Sequence, residues 1–210
     1  VFVLGGAKIS DAFMMMQTVL SGGVADKVLT GGLVGNILLA ARNEQIGQGS
    51  MNFIIKSGYE EYIEKARLIY EQFGDKIVLP VDLAYTEDGS RLECPVGQVP
   101  EAITALDIGS KTSENYQQII RGAKTVFVNG PMGVFEEALT ELGTKAVWDA
   151  LGDTAGYTVV GGGDSITATT KYGKTKLIDY ICTGGGALIR FLTGEELPVG
   201  GLNPVTIVHR

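Results

Sequence analysis

The chain has 210 residues, of which 45% are apolar and 20% charged, and it carries a formal net charge of -7. That length allows one large domain with a sizeable core. The acidic balance argues against general nucleic-acid or membrane-surface binding, which calls for clustered Lys and Arg, and no apolar run is long enough to span a bilayer. Glycine is the compositional oddity: 30 residues, about twice the usual share, clustered after apolar runs and without a collagen-like period.

In chain order, short runs rich in Val, Ile and Leu read as strands buried on both faces, and most of them end in glycine. Val1–Leu4 leads to Gly5-Gly6, and a helical pattern follows over Asp11–Leu20. Lys27–Thr30 leads to Gly31-Gly32 and a helix over Leu33–Arg42. Tyr59–Phe73 is the clearest helix, with Tyr59, Ile63, Ala66 and Tyr70 along one face. Ile77–Leu83 is a further apolar run, and residues 83–100 break the alternation with a small antiparallel excursion around Asp88-Gly89. A helix over Thr112–Arg121 precedes the strand Thr125–Asn129, which leads to Gly130-Pro131. After a helix over Thr144–Leu151, Tyr157–Val160 leads to Gly161-Gly162-Gly163 and a helix over Ser165–Tyr172. Tyr180–Thr183 leads to Gly184-Gly185-Gly186 and a last helix over Ala187–Thr193. This alternation predicts a three-layer α/β/α Rossmann-like domain over residues 1–210, with a six-stranded parallel sheet and the antiparallel excursion. The chain opens in mid-strand, so we expect a fragment of a longer protein.

In open parallel sheets, ligands bind outside the carboxyl ends of the strands. Five glycine clusters fall on that edge. There they admit a phosphate close to backbone N–H groups and helix N-termini, or they simply pack helices against strands. Lys8 follows the first cluster directly and can meet a phosphate as a point charge or remain a surface lysine. Asp164 ends the triple glycine. It is a favoured helix cap, or a carboxylate placed for Mg2+, which takes one or two carboxylates with phosphate oxygens and water. Glu136 can accept hydrogen bonds from ribose hydroxyls or be an exposed acid at a helix start.

Other chemistries find little support. Residues 168–175, "ATTKYGKT", fail the phosphate-binding GxxxxGK[ST] pattern, with Ala168 in place of the first glycine and the lysine after a helix; they read as a solvated turn. Residues 31–36, "GGLVGN", are not GxGxxG, which weighs against a dehydrogenase. His209 is the only histidine, leaving little for a histidine-based triad or metal site. Cys94 and Cys182 lie far apart and are expected to be buried and inert, as in a reducing cytoplasm. Positioning and electrostatics remain, and those are what phosphoryl transfer needs.

The stretches "LGGAKISD", "TGG", "LPVD", "LDIGSKT", "NGPMGVFE", "VGGGDS" and "TGGGALIRFLTGEELP" occur in the order found in the carboxyl-terminal half of phosphoglycerate kinase. The resemblance covers essentially the whole chain, and "SDAFMMM" and "TGGLVGN" lean towards its archaeal branch. It implies the nucleotide domain of a two-domain kinase whose other domain binds phosphoglycerate. By this resemblance Gly5, Gly6, Ala7 and Lys8 cradle the phosphates of ATP or ADP. Gly31 and Gly32 admit the adenine, and Leu106 lines the same pocket. Asn129, Pro131 and Val134 flank the nucleotide, and Glu136 holds the ribose. Gly162 and Gly163 let phosphate and metal approach, Asp164 carries Mg2+, and Ser165 stands where the family usually has Thr. Lys8, Gly163, Gly185 and Gly186 are the implied catalytic positions, the last two presenting a helix N-terminus to the phosphoryl group in transfer.

Two departures stand out. Ala12 replaces a lysine common in the family, and Ser110 a proline, which is expected to change loop stiffness only. The phosphoglycerate-binding domain and its arginines are absent from these residues, so 1,3-bisphosphoglycerate and 3-phosphoglycerate would be reached only through that other domain. The implied reaction is reversible phosphoryl transfer between 1,3-bisphosphoglycerate and ADP, in a cytoplasmic, glycolytic, monomeric enzyme. This chain alone is expected to be inactive. A standalone, non-catalytic nucleotide-binding module that regulates a partner is the alternative.

Overall fold

In the computed structural model, residues 1–183 are described. Six strands form one parallel sheet: β1 (Phe2–Leu4), β2 (Val28–Thr30), β3 (Ile77–Val78), β7 (Thr125–Asn129), β8 (Tyr157–Gly161) and β9 (Tyr180–Cys182). Their order is β3-β2-β1-β7-β8-β9. A second, antiparallel sheet holds β4 (Asp82–Glu87), β5 (Ser90–Pro95) and β6 (Asp107–Ile108) in the order β5-β4-β6. Seven helices are described: α1 (Ile9–Ser21), α2 (Gly32–Ala41), α3 (Gln48–Lys56), α4 (Glu61–Phe73), α5 (Ser110–Arg121), α6 (Leu142–Asp153) and α7 (Gly163–Lys171).

Strand periodicity sorts the helices into two layers. Successive side chains point to opposite faces. Leu4, Val28 and Phe127 therefore join the core that α1, α2 and α4 cover, with Phe13, Val34, Ile37 and Ile69 in it. Val3, Leu29, Val126 and Val128 face the other core, built with Tyr116, Val147 and Trp148 under α5 and α6. Tyr116 ties its layer to the sheet by donating its hydroxyl to the carbonyls of Thr30 (2.7 Å) and Val78 (2.9 Å). Trp148 donates its indole N–H to Thr169 Oγ1 at 2.8 Å.

The predicted run Ile77–Leu83 is not one strand. Pro80 offers no N–H for a ladder, and the chain leaves the parallel sheet after Val78 to re-enter pairing at Asp82 in the antiparallel sheet. The excursion is larger than expected, because β6 adds a third strand beside β4. Helix α3 is an element the sequence reading lacked. Only Ser50 and Ile54 of it are buried, and two glycines sit at its start. The predicted helix over 187–193, together with Gly184, Gly185, Gly186 and His209, lies outside the described residues.

Asp82 helps explain why the antiparallel sheet sits where it does. The Asp82 carboxylate accepts the amides of Lys111 (3.0 Å) and Thr112 (2.8 Å), so it caps the N-terminus of α5 from another element. Because the buried Thr112 amide and the part-buried Lys111 amide would be left unpaired, Asp82→Ala is expected to destabilise the chain by about 2 kcal/mol. Equilibrium denaturant unfolding measures this. A loss below about 0.5 kcal/mol, the ordinary range for a surface substitution, would contradict the capping role.

Candidate nucleotide site

The strand order reverses beside β1, so β1 and β7 are neighbours whose outgoing loops diverge, and a crevice opens at their carboxyl ends. Glycine lets those loops lock together. Gly6 N donates to Pro131 O (2.7 Å), Gly32 N to Met132 O (2.7 Å) and Leu33 N to Gly6 O (3.2 Å). Gly5 N donates to Asn129 O (3.0 Å), and Gly130 N to the buried Ser165 hydroxyl (2.7 Å). A Cβ at Gly5 would run into the Pro131 carbonyl, and one on Gly31 would come within 2.6 Å of Met132 Sδ. These two glycines are buried and serve the packing of the loops.

Two adjoining recesses result. The larger, about 300 Å3, is lined by Gly6, Ala7, Gly32, Leu106, Pro131, Val134, Glu136 and Asp164 among the expected residues. The sequence reading lacked several of its walls: Asn36 of α2, Ser50 and Phe53 of α3, Pro80, and Asp107 beside Leu106. Asn36 and Asp107 stand in "GGLVGN" and "LDIGSKT", stretches already singled out. Phe53 could not be found that way, since its helix was not recognised. Polar groups cover one wall: Ser50 Oγ accepts the Ala105 amide at 2.8 Å, and Asn36 donates to the Ala105 carbonyl at 3.5 Å. Glu136 is exposed, in the loop between β7 and α6 and not at a helix start.

The smaller recess is a cleft lined by Gly5, Gly6, Ala7, Lys8, Ala12, Asn129, Gly130 and residues 162–165. The amides of Gly5, Gly6 and Gly32 are engaged in the loop lock. Among the described residues, the amides of Ala7, Lys8, Gly163, Asp164 and Ser165 donate no hydrogen bond. The same holds for the side chains of Lys8 and Asp164, which are exposed and form no ion pair there. Asp164 is not the cap of α7. Gly162, at φ 88°, takes that position, and Asp164 lies in the first turn. A Cβ on Gly163 would meet nothing within 4 Å, so no packing within the chain requires glycine there. The cleft thus combines free amides, one cation, one carboxylate and a bare helix start, which suits a metal-bound phosphate chain. No group of three or more His, Cys, Asp or Glu that could hold a metal occurs among the described residues. Asp164 therefore fits a metal that arrives with its own phosphate ligands.

Other expectations fare differently. The turn after α7 carries Gly173 at φ 66°, and its Lys174 pairs with Asp149 at 2.8 Å, so it closes a helix and is only partly solvated. Cys94 and Cys182 are half-buried and not fully buried as expected, and burial pushes the Cys94 thiol up. Ser110 does more than alter stiffness: its amide, which proline would lack, donates to Glu93 Oε2 at 2.9 Å.

Asp107, on the wall of the larger recess, accepts Arg91 Nη1 (2.9 Å), the Gly143 amide (2.8 Å) and the Ile108 amide (2.9 Å). Burial pushes its carboxyl up to about 6, against the pull of Gly143 and Arg91.

The fold and crevice define an α/β domain of the Rossmann-like class with a glycine-lined crevice at its topological switch point. A model of the phosphoglycerate kinase family matches residues 1–195. The chain is 43% identical over 198 residues to phosphoglycerate kinase from Methanothermobacter thermautotrophicus, covering 94% of this chain and 48% of that protein. It is 41% identical over 199 residues to the enzyme from Thermoplasma acidophilum, again covering 94% of this chain and 48% of the relative. The crystal structure of phosphoglycerate kinase from Pyrococcus horikoshii superposes with a TM-score of 0.85 at 40% identity, over 94% of this chain and 49% of that one. Phosphoglycerate kinase from Coxiella burnetii gives 0.82 at 30% identity, over 92% of this chain and 50% of that one. The chain belongs to the phosphoglycerate kinase family, with archaeal members among its relatives, and it spans about half the length of the curated relatives it matches. No helix among the described residues is long and apolar enough to cross a membrane.

Asp107 generates a pH signature. Its folded carboxyl titrates above the ordinary value of 3.8, so the stability it contributes is fully present below that value and is lost as pH rises through about 6. Wild type should therefore gain about 1 kcal/mol over Asp107→Asn on going from about pH 7.5 to about pH 5. Urea unfolding of both proteins across that range measures it. Parallel pH profiles would show that Asp107 keeps its ordinary acidity.

Proposed function

We propose that this chain is the Mg-nucleotide-binding half of a phosphoglycerate kinase, which moves a phosphoryl group reversibly between 1,3-bisphosphoglycerate and ADP. The observation that carries the reading is the cleft in which five amides without a partner among the described residues, Lys8 and Asp164 converge beside a recess large enough for a base and ribose. Family membership supports it, because the family is that of phosphoglycerate kinase.

Each residue takes a role that its position permits. Leu106, Val134 and Pro131 supply apolar contact to the base and sugar, with Gly32 giving room. Glu136, exposed at the mouth of the recess, accepts from ribose hydroxyls. Asn129 flanks the phosphates, whose oxygens take the free amides of Ala7, Lys8, Gly163, Asp164 and Ser165. Lys8 adds a charge-assisted contact. Asp164 would hold Mg2+ through its carboxylate. Mg2+ held there with the nucleotide would supply positive charge to offset that of the phosphates. Ala12 lines the same cleft without a charge, so the cation here is Lys8. Gly185 and Gly186 are assigned to the transferring phosphoryl group by family resemblance alone. Acceptor positioning falls to the other half of the full-length protein. Without it, the acceptor oxygen is not held in line, and effective molarities of roughly 10^5–10^8 M are forfeited. A monomeric, cytoplasmic, glycolytic enzyme completes the proposal.

Calorimetric titration of the chain with millimolar Mg-ADP should give binding heat. Lys8→Met should weaken binding roughly tenfold or more, the value of a charge-assisted hydrogen bond. Asp164→Asn should leave folding unchanged and abolish the Mg2+-dependent part of the affinity. In a coupled assay the chain alone should not phosphorylate 3-phosphoglycerate from ATP, whereas a longer chain carrying the other half should. Absence of heat overturns the nucleotide site. Equal turnover in both chains would place the whole reaction here, and turnover in neither would favour a regulatory nucleotide-binding module.

A further inference from the structure

Arg91 lies outside both recesses, on β5, yet it makes more polar contacts than any residue lining them. Its side chain is only 10% exposed. Nε donates to Glu93 Oε1 and Nη1 to Asp107 Oδ2, each at 2.9 Å. Nη1 also donates to the Leu139 carbonyl and Nη2 to the Ile108 carbonyl, again each at 2.9 Å. The acceptors belong to three different pieces of chain. Asp107 and Ile108 form β6, whose run from Leu106 to Ile108 is one wall of the larger recess. Leu139 lies in the loop 130–141 between β7 and α6, whose residues 131–136 line the same recess as a second wall.

The network reaches further through its two acids. Glu93 Oε2 accepts the Ser110 amide at the start of α5, and Asp107 Oδ2 accepts the Gly143 amide at the start of α6. Burial pushes the Glu93 carboxyl up, but Ser110 and Arg91 together hold it below its ordinary value. Among the described residues, the guanidinium thus grips both walls and, through carboxylates, two helix starts. The two segments also meet directly: Val134 N donates to Leu106 O at 2.8 Å, and Gly133 packs so closely that a Cβ there would collide with the Leu106 carbonyl and Asp107. A planar fork with fixed donor directions sets a separation in a way that a lysine head on a flexible stem does not.

We propose that Arg91 is a positioning residue that sets the width of the base-and-ribose recess by clamping β6 to the loop 130–141. It acts through Asp107, Ile108 and Leu139 and touches no ligand. The proposal rests on the nucleotide site proposed above. It makes a separable claim: Arg91 governs the nucleoside part of affinity, and Lys8 the phosphate part.

The test uses the whole 210-residue chain. Dissociation constants for Mg-ADP and for adenosine are measured by NMR titration, at a temperature where circular dichroism shows every variant folded. Arg91→Lys should weaken both ligands by a similar factor, about threefold to thirtyfold, the range for residues that act on a ligand without touching it. Arg91→Met should weaken them further. Lys8→Met should weaken Mg-ADP and leave adenosine unchanged. Glu93→Gln, which loses the charge and keeps only one of the two acceptor oxygens that Arg91 and Ser110 use, serves if Arg91→Met does not fold, and it should show a smaller loss of the same pattern. A role confined to stability would lower the unfolding midpoint and leave these constants at the wild-type value, and that result in Arg91→Lys and Glu93→Gln overturns the proposal. So does a loss for Mg-ADP without one for adenosine. If wild type binds neither ligand, the nucleotide site itself fails.

Discussion

The structure depends on one backbone interlock. Where β1 and β7 part company, the loops leaving β1, β2 and β7 hydrogen-bond to one another through Gly6, Gly32, Leu33, Pro131 and Met132. Side chains on Gly5 or Gly31 would meet the loop they support. The glycines at this edge thus answer first to the chain itself, by letting three loops share a volume that side chains would fill. Because the lock consumes the amides of Gly6 and Gly32, the donors left for an anion are those just beyond it. Ala7 and Lys8 lie just before α1, Lys8 as its cap residue, and residues 163–165 open α7, where the first N–H groups of a helix have no partner within it.

Buried charge does the complementary work around the larger recess. Asp82 and Asp107 both accept backbone amides at the start of a helix, Asp82 for α5 and Asp107 for α6. A carboxylate in that position serves as a cap supplied from another element, and it fixes the antiparallel sheet against the helical layer. Arg91 then converts that attachment into a set distance between the recess walls. Polar groups of this kind are expensive to bury and gain only when every donor and acceptor is paired. The absence of unpaired buried side-chain polar atoms among the described residues meets that condition.

Much of this was legible in the sequence, for identifiable reasons. Six strand positions could be read because strands buried on both faces are unbroken apolar runs. Four of the described strands run into glycine, which located the edge that matters. Legibility failed where order comes from distant partners. Helix α3 has two buried residues and no capping side chain, so its signal is weak. β6 is two residues long and exists by pairing with β4. Pro80 was read through when it should have ended a strand. The cleft was visible as Lys8, Asp164 and the glycines, yet nothing local to the sequence could say which amides were spent inside the chain. Arg91 stood in a hairpin whose turn was recognised, but its acceptors lie up to 48 residues away.

The central claim is a division of labour between locked and free amides, and amide-resolved NMR during a titration with Mg-ADP tests it most directly. The account predicts the largest shifts at Ala7, Lys8, Gly163, Asp164 and Ser165, with the amides of Gly6 and Gly32 keeping their protection from hydrogen exchange. Loss of protection at Gly6 and Gly32 on binding, with Gly163 and Asp164 unmoved, would contradict it.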